Sequence, residues 1–417
     1  MQDTAAAAKE RRPSIAERLL SPESGLRMFS IALLGAYCVV PLLVYLVVLP
    51  EAVFLQLALI TAVGVFAMWV GGQLPLADAR LVSHEHWLNI DWRTFVGLSW
   101  VLFTAFVVIT FATAPSIPII SAFQGVAAQA LGQERGEFLK GRSGPGLALL
   151  YISAFMVNTI VPYSVVIAYA ARSRVRHFLA AGFFLFSISF MVKSLFLNLA
   201  LPLLAYFAIR RQLGGAKALV GVGVCVLLLA GASYLALGSE GTAGVGEAVV
   251  AAEVLSAAFA PSDPIQYLLW RALAVPIFTA TDTLIVHATY FDARPLWGAT
   301  STFLASLLGF ERINLERFVF EYQFGGWNEI ANSNTMFLLD GYVNFGWIGV
   351  VLFGLFCGQV FRWFAVSRDV GFRALWPLFA FVLFNAPLIG LLLGSGFLYM
   401  LAHALSIRMR GVPRDVP

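Results

Sequence analysis

The sequence predicts an all-α integral membrane protein with about ten transmembrane helices and two extracytoplasmic loops that contain interfacial or re-entrant helices. Of its 417 residues, 60% are hydrophobic and only 12% are charged, and the mean hydropathy is +0.83. These values exclude an ordinary soluble domain. In hydrocarbon an unpaired backbone N–H or C=O group costs several kcal/mol, so apolar runs of about 20 residues must form helices.

Apolar segments of spanning length follow one another along the chain. The run over 178–209 is too long for one helix and too short for two ordinary spans. We therefore expect two short helices that meet at Lys193. The other predicted spans lie near 28–49, 52–70, 95–113, 147–171, 218–237, 336–361, 374–391 and 393–407.

Basic residues predict the orientation of these spans. Residues 1–27 form a basic tail, and the apolar run that follows has no small-residue cleavage site and is too long for the core of a signal peptide. With that tail in the cytoplasm, most of the 27 lysines and arginines fall in cytoplasmic segments, as does the second tail, 408–417. The single transmembrane domain, 28–407, then has extracytoplasmic loops near 114–146 and 238–335.

Segment 264–291 is apolar enough to be considered as a further span. A single crossing there would move the basic residues after it to the wrong side of the membrane. It also carries Arg271, Asp282 and His287, and Pro276 interrupts it. We expect helices that lie at the outer interface or dip into it.

The sequence lacks the motifs that are typical of several classes of enzyme and metal site. Cys38, Cys225 and Cys357 lie in apolar runs and cannot ligate zinc as a spaced set. The His84-x-His86 pair indicates a solvated loop more than a metal site, because two histidines at that spacing on a helix point apart. There is no phosphate-binding loop, H-E-x-x-H or G-x-S-x-G motif. We therefore predict no metal and no cofactor, and energy that comes from an activated substrate or a gradient.

Four cations are the candidates for binding an anionic substrate in and after the first loop. Arg135, Lys140 and Arg142 lie among glycines just before a predicted helix start, where guanidinium groups and free backbone N–H groups suit phosphate oxygens. Contact with lipid headgroups is the alternative. Lys193 is a lone ammonium at a helix junction, which is costly unless it is paired or hydrated. Its alternative role is to reach the outer headgroups.

The second loop supplies the candidate acid–base residues. His287 is the one histidine predicted on the outer side, and Asp282 is the acid with the most apolar neighbours. The other possible bases are Glu247, Glu253, Asp263 and Asp292. A structural role for His287 remains open. Arg271 lies in an otherwise apolar run of the same loop, and Arg294 stands just before Pro295. The aromatic residues of this loop fit either a glycan groove or an interfacial belt.

Four patches carry a resemblance to a known family. They are RGEFLKGRSGPG from Arg135, the split pair around Lys193, LLWRALAVP with Arg271, and NTMFLLDGYVNFGWIGVVLFGLFCG from Asn334 to Gly358. In these patches and in overall plan, the chain resembles the oligosaccharide repeat unit polymerases, the O-antigen polymerase family of bacterial polysaccharide assembly.

The resemblance implies a metal-independent glycosyltransferase of the bacterial inner membrane, with both termini in the cytoplasm. It would use undecaprenyl-diphosphate-linked glycans as donor and acceptor, and its other partners would be the bilayer and the chain-length regulator and flippase of the same pathway. Arg135, Lys140, Arg142, Lys193, Arg271 and Arg294 would bind diphosphate, and Asp282 or His287 would act as the base. The alternatives are an O-antigen ligase and, in another class, a lipid-linked oligosaccharide flippase or other transporter.

Overall fold

The computed structural model is a helical bundle with one small sheet. It describes residues 12–82, 87–126, 130, 134, 138, 146–189, 195–237, 251–259, 261, 263–326 and 332–412. The first half contains α1 Ile15–Leu19, α2 Pro22–Leu34, α3 Val40–Val47, α4 Ala52–Gly71, α5 Asp78–Val82, β1 Leu88–Asp91, α6 Trp92–Thr113, α7 Pro118–Phe123, α8 Leu147–Phe155, α9 Val161–Ala170, α10 Arg176–Ser189 and α11 Leu197–Ile209.

The second half contains α12 Gly215–Leu237, α13 Ala251–Val254, α14 Pro264–Leu269, α15 Val275–Phe291, α16 Thr302–Leu308, α17 Leu315–Phe324, α18 Phe337–Val366, α19 Val370–Ala374, α20 Trp376–Leu383, α21 Phe397–Ser406 and β2 Ile407–Arg410. π-Helical turns at Gly35–Val39, Met156–Ile160, Trp270–Ala274 and Gly390–Gly394 continue or join neighbouring helices.

The predicted all-α polytopic membrane fold is confirmed. Six helical segments of the described chain are long and apolar enough to cross a membrane: Pro22–Val47, Ala52–Gly71, Trp92–Thr113, Ala148–Ala170, Ile265–Phe291 and Phe337–Val366. Shorter apolar helices complete the bundle. The predicted split of 178–209 is confirmed, because α10 and α11 have 14 and 13 residues and lie on either side of the Lys193 segment. Lys193 itself lies outside the described residues.

Helix α18 is a hairpin, which differs from the single span predicted over 336–361. Gly346 has a φ of 62° and a ψ of −150°, which is not helical. Gly341 and Gly349 lie about 12 Å apart on a straight helix, yet a methyl group on either one would collide with the other's carbonyl. We call α18 the glycine hairpin; its first arm ends at Gly346 and its second arm follows.

The first arm starts deep inside the bundle. Phe29, in α2, stacks on both Phe337 and Phe361, with ring centroids 6.2 and 5.2 Å apart. The first arm then runs to Tyr342, whose hydroxyl accepts a hydrogen bond at 3.0 Å from the side-chain amide of Gln56, near the start of α4. The chain therefore enters the bundle as the extended segment 332–336 and turns back as a half-helix. Non-helical backbone at such depth is tolerated only where protein covers it.

The C-terminal segment 376–406 forms a second hairpin, where the sequence predicts full spans over 374–391 and 393–407. It begins beside α1, where the Trp376 indole donates to the Leu20 carbonyl at 3.0 Å. Halfway up α2–α3, the Tyr37 hydroxyl donates to the Phe384 carbonyl at 2.9 Å. The return helix α21 leads into β2, which pairs in parallel with β1. Pro387 and Gly396, which has a φ of 79°, lie where the helices break.

The two ends of the bundle can be named from these contacts. The strand end holds the sheet β1–β2 and Leu20. The loop end holds the turn at Glu51, between α3 and α4, and the reversal at Gly346. The glycine hairpin enters from the loop end and the C-terminal hairpin from the strand end. They meet inside the bundle, where the backbone N–H of Leu388 points towards the Asp340 carboxyl.

Segment 264–291 is one continuous helical segment, whereas the sequence predicts separate helices at the outer interface. Pro276 directly follows the π-turn Trp270–Ala274, in which the Val275 N–H bonds to the Trp270 carbonyl five residues back, and such a local π adjustment lets a helix accommodate the missing N–H of proline. Ile277 packs in one cluster with Val44 and Phe54 beside the Glu51 turn. The second half of this segment therefore packs against the loop end of α3 and α4.

Candidate functional site

Asp282 lies on α15 with one carboxylate oxygen held in place. The Gln323 side-chain amide, on α17, donates to its Oδ2 at 2.8 Å. The same Nε2 group lies 3.4 Å from the Thr279 hydroxyl, one turn earlier on α15. Oδ1 makes no hydrogen bond with any residue of the described chain. Asp282 is half-buried, so its second oxygen is available to accept a proton.

A third element joins this group through Ser333. Its hydroxyl donates to Gln323 Oε1 at 2.6 Å, and its backbone N–H donates to the Glu316 carbonyl at 3.1 Å. Ser333 belongs to the extended segment that leads into the glycine hairpin. We call Thr279, Asp282, Gln323 and Ser333 the Asp282 cluster. It links α15, α17 and the entrance of the hairpin.

A second polar group lies inside the bundle, on the first arm of the glycine hairpin. Asn344 donates from Nδ2 to Asp340 Oδ1 and to the Thr300 hydroxyl, both at 2.8 Å. Its Oδ1 accepts from the backbone N–H of Gly298 at 3.0 Å. Oδ2 of Asp340 is buried and makes no hydrogen bond of good geometry in the part of the chain described. We call Asp340, Asn344 and Thr300 the Asp340 cluster.

Helix α17 carries Gln323 of the Asp282 cluster and lies close to the Asp340 cluster. Glu316 lies near the start of this helix, and its negative charge acts on Asp340, while Gln323 near the helix end contacts Asp282. Gly325, with a φ of 67°, ends α17 in the left-handed conformation, which glycine adopts at little cost. Movement of α17 would therefore affect both carboxylates.

His287, the second predicted catalytic residue, is already engaged. Its side chain is buried, and Nε2 lies 2.8 Å from the Arg294 carbonyl. Because a carbonyl only accepts, Nε2 carries the hydrogen. The ring also meets Tyr342 edge-on, with centroids 6.4 Å apart. These contacts fix the turn after α15, and a role as base would leave only Nδ1 for the reaction.

The predicted cations do not gather around Asp282 in the described chain. The Arg271 side chain is exposed, between the exposed Leu269 and Leu273, and its eleven-residue separation from Asp282 is about 16 Å along a helix. Arg294 is 81% exposed and lies 3.9 Å from Asp292. Four further predicted diphosphate ligands lie outside the described residues: Arg135, Lys140, Arg142 and Lys193.

Four residues of the two clusters are not among the site residues predicted from sequence: Asp340, Asn344, Gln323 and Ser333. Asp340 carried a usable signal, because it is the one charged residue between 336 and 361, and an ionisable residue in such a run is a functional candidate by default. Gln323 and Ser333 carried none. Their partners lie 41 and 10 residues away along the chain, so only the fold brings them together.

Comparison with known proteins gives no relative from which to read the site. No protein-family model matches the chain, and no curated protein or solved structure is significantly similar to it. Among the described residues, no three His, Cys, Asp or Glu side chains group as metal ligands would.

Proposed function

We propose that this multi-pass membrane protein is a glycosyltransferase that polymerises undecaprenyl-diphosphate-linked oligosaccharide repeat units into O-antigen, capsule or exopolysaccharide. It would act in the bacterial inner membrane, with the loop end on the extracytoplasmic side and both termini in the cytoplasm. The observation that carries the proposal is the Asp282 cluster: a half-buried carboxylate at the loop end, with one oxygen anchored by Gln323 and the other open.

The reaction needs a base, because a sugar hydroxyl is a weak nucleophile until its proton is removed. In the proposed step the acceptor hydroxyl gives its proton to Oδ1 of Asp282. Its oxygen then forms a bond to the anomeric carbon of the donor glycan. The bond from that carbon to the diphosphate oxygen breaks, and undecaprenyl diphosphate leaves with the electron pair.

The departing diphosphate gains negative charge, which cations stabilise. Arg271 and Arg294 are exposed on the same stretch of chain as Asp282 and would serve this role, together with Arg135, Lys140, Arg142 and Lys193. The donor is already activated by its diphosphate, so the step requires neither a nucleotide sugar nor a metal. The glycan pathway's flippase would supply the substrate, and a chain-length regulator would act on the product.

Mass spectrometry of lipid-linked glycans in cells that lack the protein tests the proposal. We expect single repeat units to accumulate, and polymer to return with the wild-type gene but not with Asp282→Asn. Glu311→Gln is the matched control, because Glu311 is exposed between α16 and α17 and lies outside the Asp282 cluster. Normal polymer in cells without the protein would rule the proposal out, and long lipid-linked polymer that never reaches its final acceptor would favour a ligase.

A transporter or flippase is the second candidate. It is favoured by the two hairpins, which enter the bundle from opposite ends and meet at Asp340, since transporters often build midplane sites from broken helices. Purified protein in detergent separates the two functions, because detergent leaves no second compartment. Elongation of lipid-linked repeats there requires glycosyl transfer, and its absence alongside substrate movement in vesicles would favour transport.

A further inference from the structure

The Gln323 amide is the centre of the Asp282 cluster. Its nitrogen faces two acceptors, Asp282 Oδ2 at 2.8 Å and Thr279 Oγ1 at 3.4 Å. Its oxygen accepts from the Ser333 hydroxyl at 2.6 Å. Gln323 itself belongs to α17, and its amide hydrogen-bonds both to α15 and to the extended segment that leads into the glycine hairpin.

Ser333 determines which way this amide points. With the Ser333 hydroxyl donating to Oε1, Nε2 faces the carboxylate and can use both of its hydrogens. The flipped amide would place its oxygen against Asp282, where two acceptors would oppose each other. Loss of the Ser333 hydroxyl would remove the contact that favours the productive orientation.

We infer that Gln323 is a positioning residue for Asp282, and that Ser333 acts through it. This inference rests on the proposed function. Gln323 holds Oδ2 of Asp282 so that Oδ1 faces the acceptor hydroxyl. Oδ1 then accepts the proton of that hydroxyl, and no further reactant is needed. Because Ser333 precedes the first arm of the glycine hairpin by only a few residues, the position of the hairpin entrance sets the position of the base.

Steady-state elongation by the purified protein tests the inference, with a short synthetic repeat linked to a polyprenyl diphosphate as donor and acceptor. We expect Gln323→Ala to lower kcat by about 10- to 100-fold, since misplacing a reacting group by about 1 Å costs on that order, and to leave KM within about twofold. Ser333→Ala should lower kcat by less, about 3- to 10-fold, because the amide is still present but no longer held in one orientation.

Coupling between the variants separates positioning from a general structural effect. If Gln323 acts through Asp282, Gln323→Ala should not reduce the residual rate of Asp282→Asn any further, and Ser333→Ala should have no added effect on Gln323→Ala. Gln212→Ala is the matched control, because Gln212 is exposed in the turn between α11 and α12. It should elongate like the wild type.

Each result decides a different claim. Wild-type protein that makes no polymer would remove the proposed function and the inference with it. Active wild-type protein with an unchanged kcat in Gln323→Ala would overturn the inference alone, as would additive losses in the double variants. If Gln323→Ala fails to fold in detergent, Ser333→Ala takes its place in the test. Ser333→Ala should then not slow Asp282→Asn any further, and an additive loss in that double variant would overturn the inference.

Discussion

Replacing Gly354 by alanine should destabilise the protein, because this glycine allows the second arm of the glycine hairpin to lie against α4. An added methyl group would be 2.6 Å from the Gly64 carbonyl oxygen and 2.8 Å from the Ala67 Cβ. Contacts of Cβ atoms shorter than 3.0 Å essentially do not occur, and the Gly64 oxygen is backbone and cannot rotate away. The two helices must therefore separate by about 0.4 Å or more.

The expected magnitude combines two effects of opposite sign. Overpacking in a tight interior costs about 1 to 3 kcal/mol, while alanine in place of glycine inside a helix gains about 0.5 to 1 kcal/mol. The two effects together span about 0 to 2.5 kcal/mol, and we expect Gly354→Ala to lower the free energy of unfolding by about 1 kcal/mol. Gly97, in α6, has no atom within 4 Å of an added methyl group, so Gly97→Ala should be neutral or stabilising.

Thermal unfolding of the purified variants in one detergent, followed by tryptophan fluorescence, measures this difference. The midpoint for Gly354→Ala should fall below that of the wild type, and the midpoint for Gly97→Ala should not. Equal midpoints for the two variants would refute the close approach of α4 and the hairpin. A lower midpoint for Gly97→Ala alone would refute the packing argument as well.

Three further predictions concern the hairpin and the orientation of the bundle. Gly346→Ala should destabilise by about 1 to 3 kcal/mol through backbone strain alone, because a methyl group there meets no atom within 4 Å; an unchanged unfolding midpoint would contradict the reversal. Asn344→Leu should cost about 2 to 4 kcal/mol in the same assay, since Asp340 and the Gly298 N–H lose their partner; a midpoint equal to that of the wild type would contradict the Asp340 cluster. With the native cysteines replaced, a membrane-impermeant maleimide should label Glu51→Cys in intact spheroplasts and Arg410→Cys only after permeabilisation; the reverse pattern would invert the proposed topology.

The helices were predictable because hydropathy and helix length obey the same bilayer constraint. The junction near Lys193 is an example: a run of intermediate length requires two short helices, and α10 and α11 are those helices. The reversal at Gly346 was not predictable in the same way. A hydropathy pattern sums side chains over a window, whereas the reversal depends on the φ and ψ angles of one glycine inside an unbroken apolar run.

The site was predictable only in part, for a similar reason. Asp282 could be singled out because a carboxylate among apolar neighbours stands out locally. Its partner Gln323 is a polar residue on a loop helix, with nothing unusual in its local sequence. Only its contacts with Asp282 and Ser333 in the fold indicate a role at the site. His287 shows the converse, since a conspicuous residue type is engaged with the Arg294 carbonyl. Local sequence identifies charged candidates, and the fold determines which of them share partners.

Elongation of a synthetic polyprenyl-diphosphate-linked repeat by purified protein, resolved by mass spectrometry, tests the central claim most directly. We expect a ladder of polymers from the wild type and from Glu311→Gln, and elongation about 10²- to 10⁴-fold slower from Asp282→Asn. A full ladder from Asp282→Asn would show that the loop-end carboxylate is not the base. No ladder from folded wild-type protein supplied with this substrate would contradict glycosyl transfer itself.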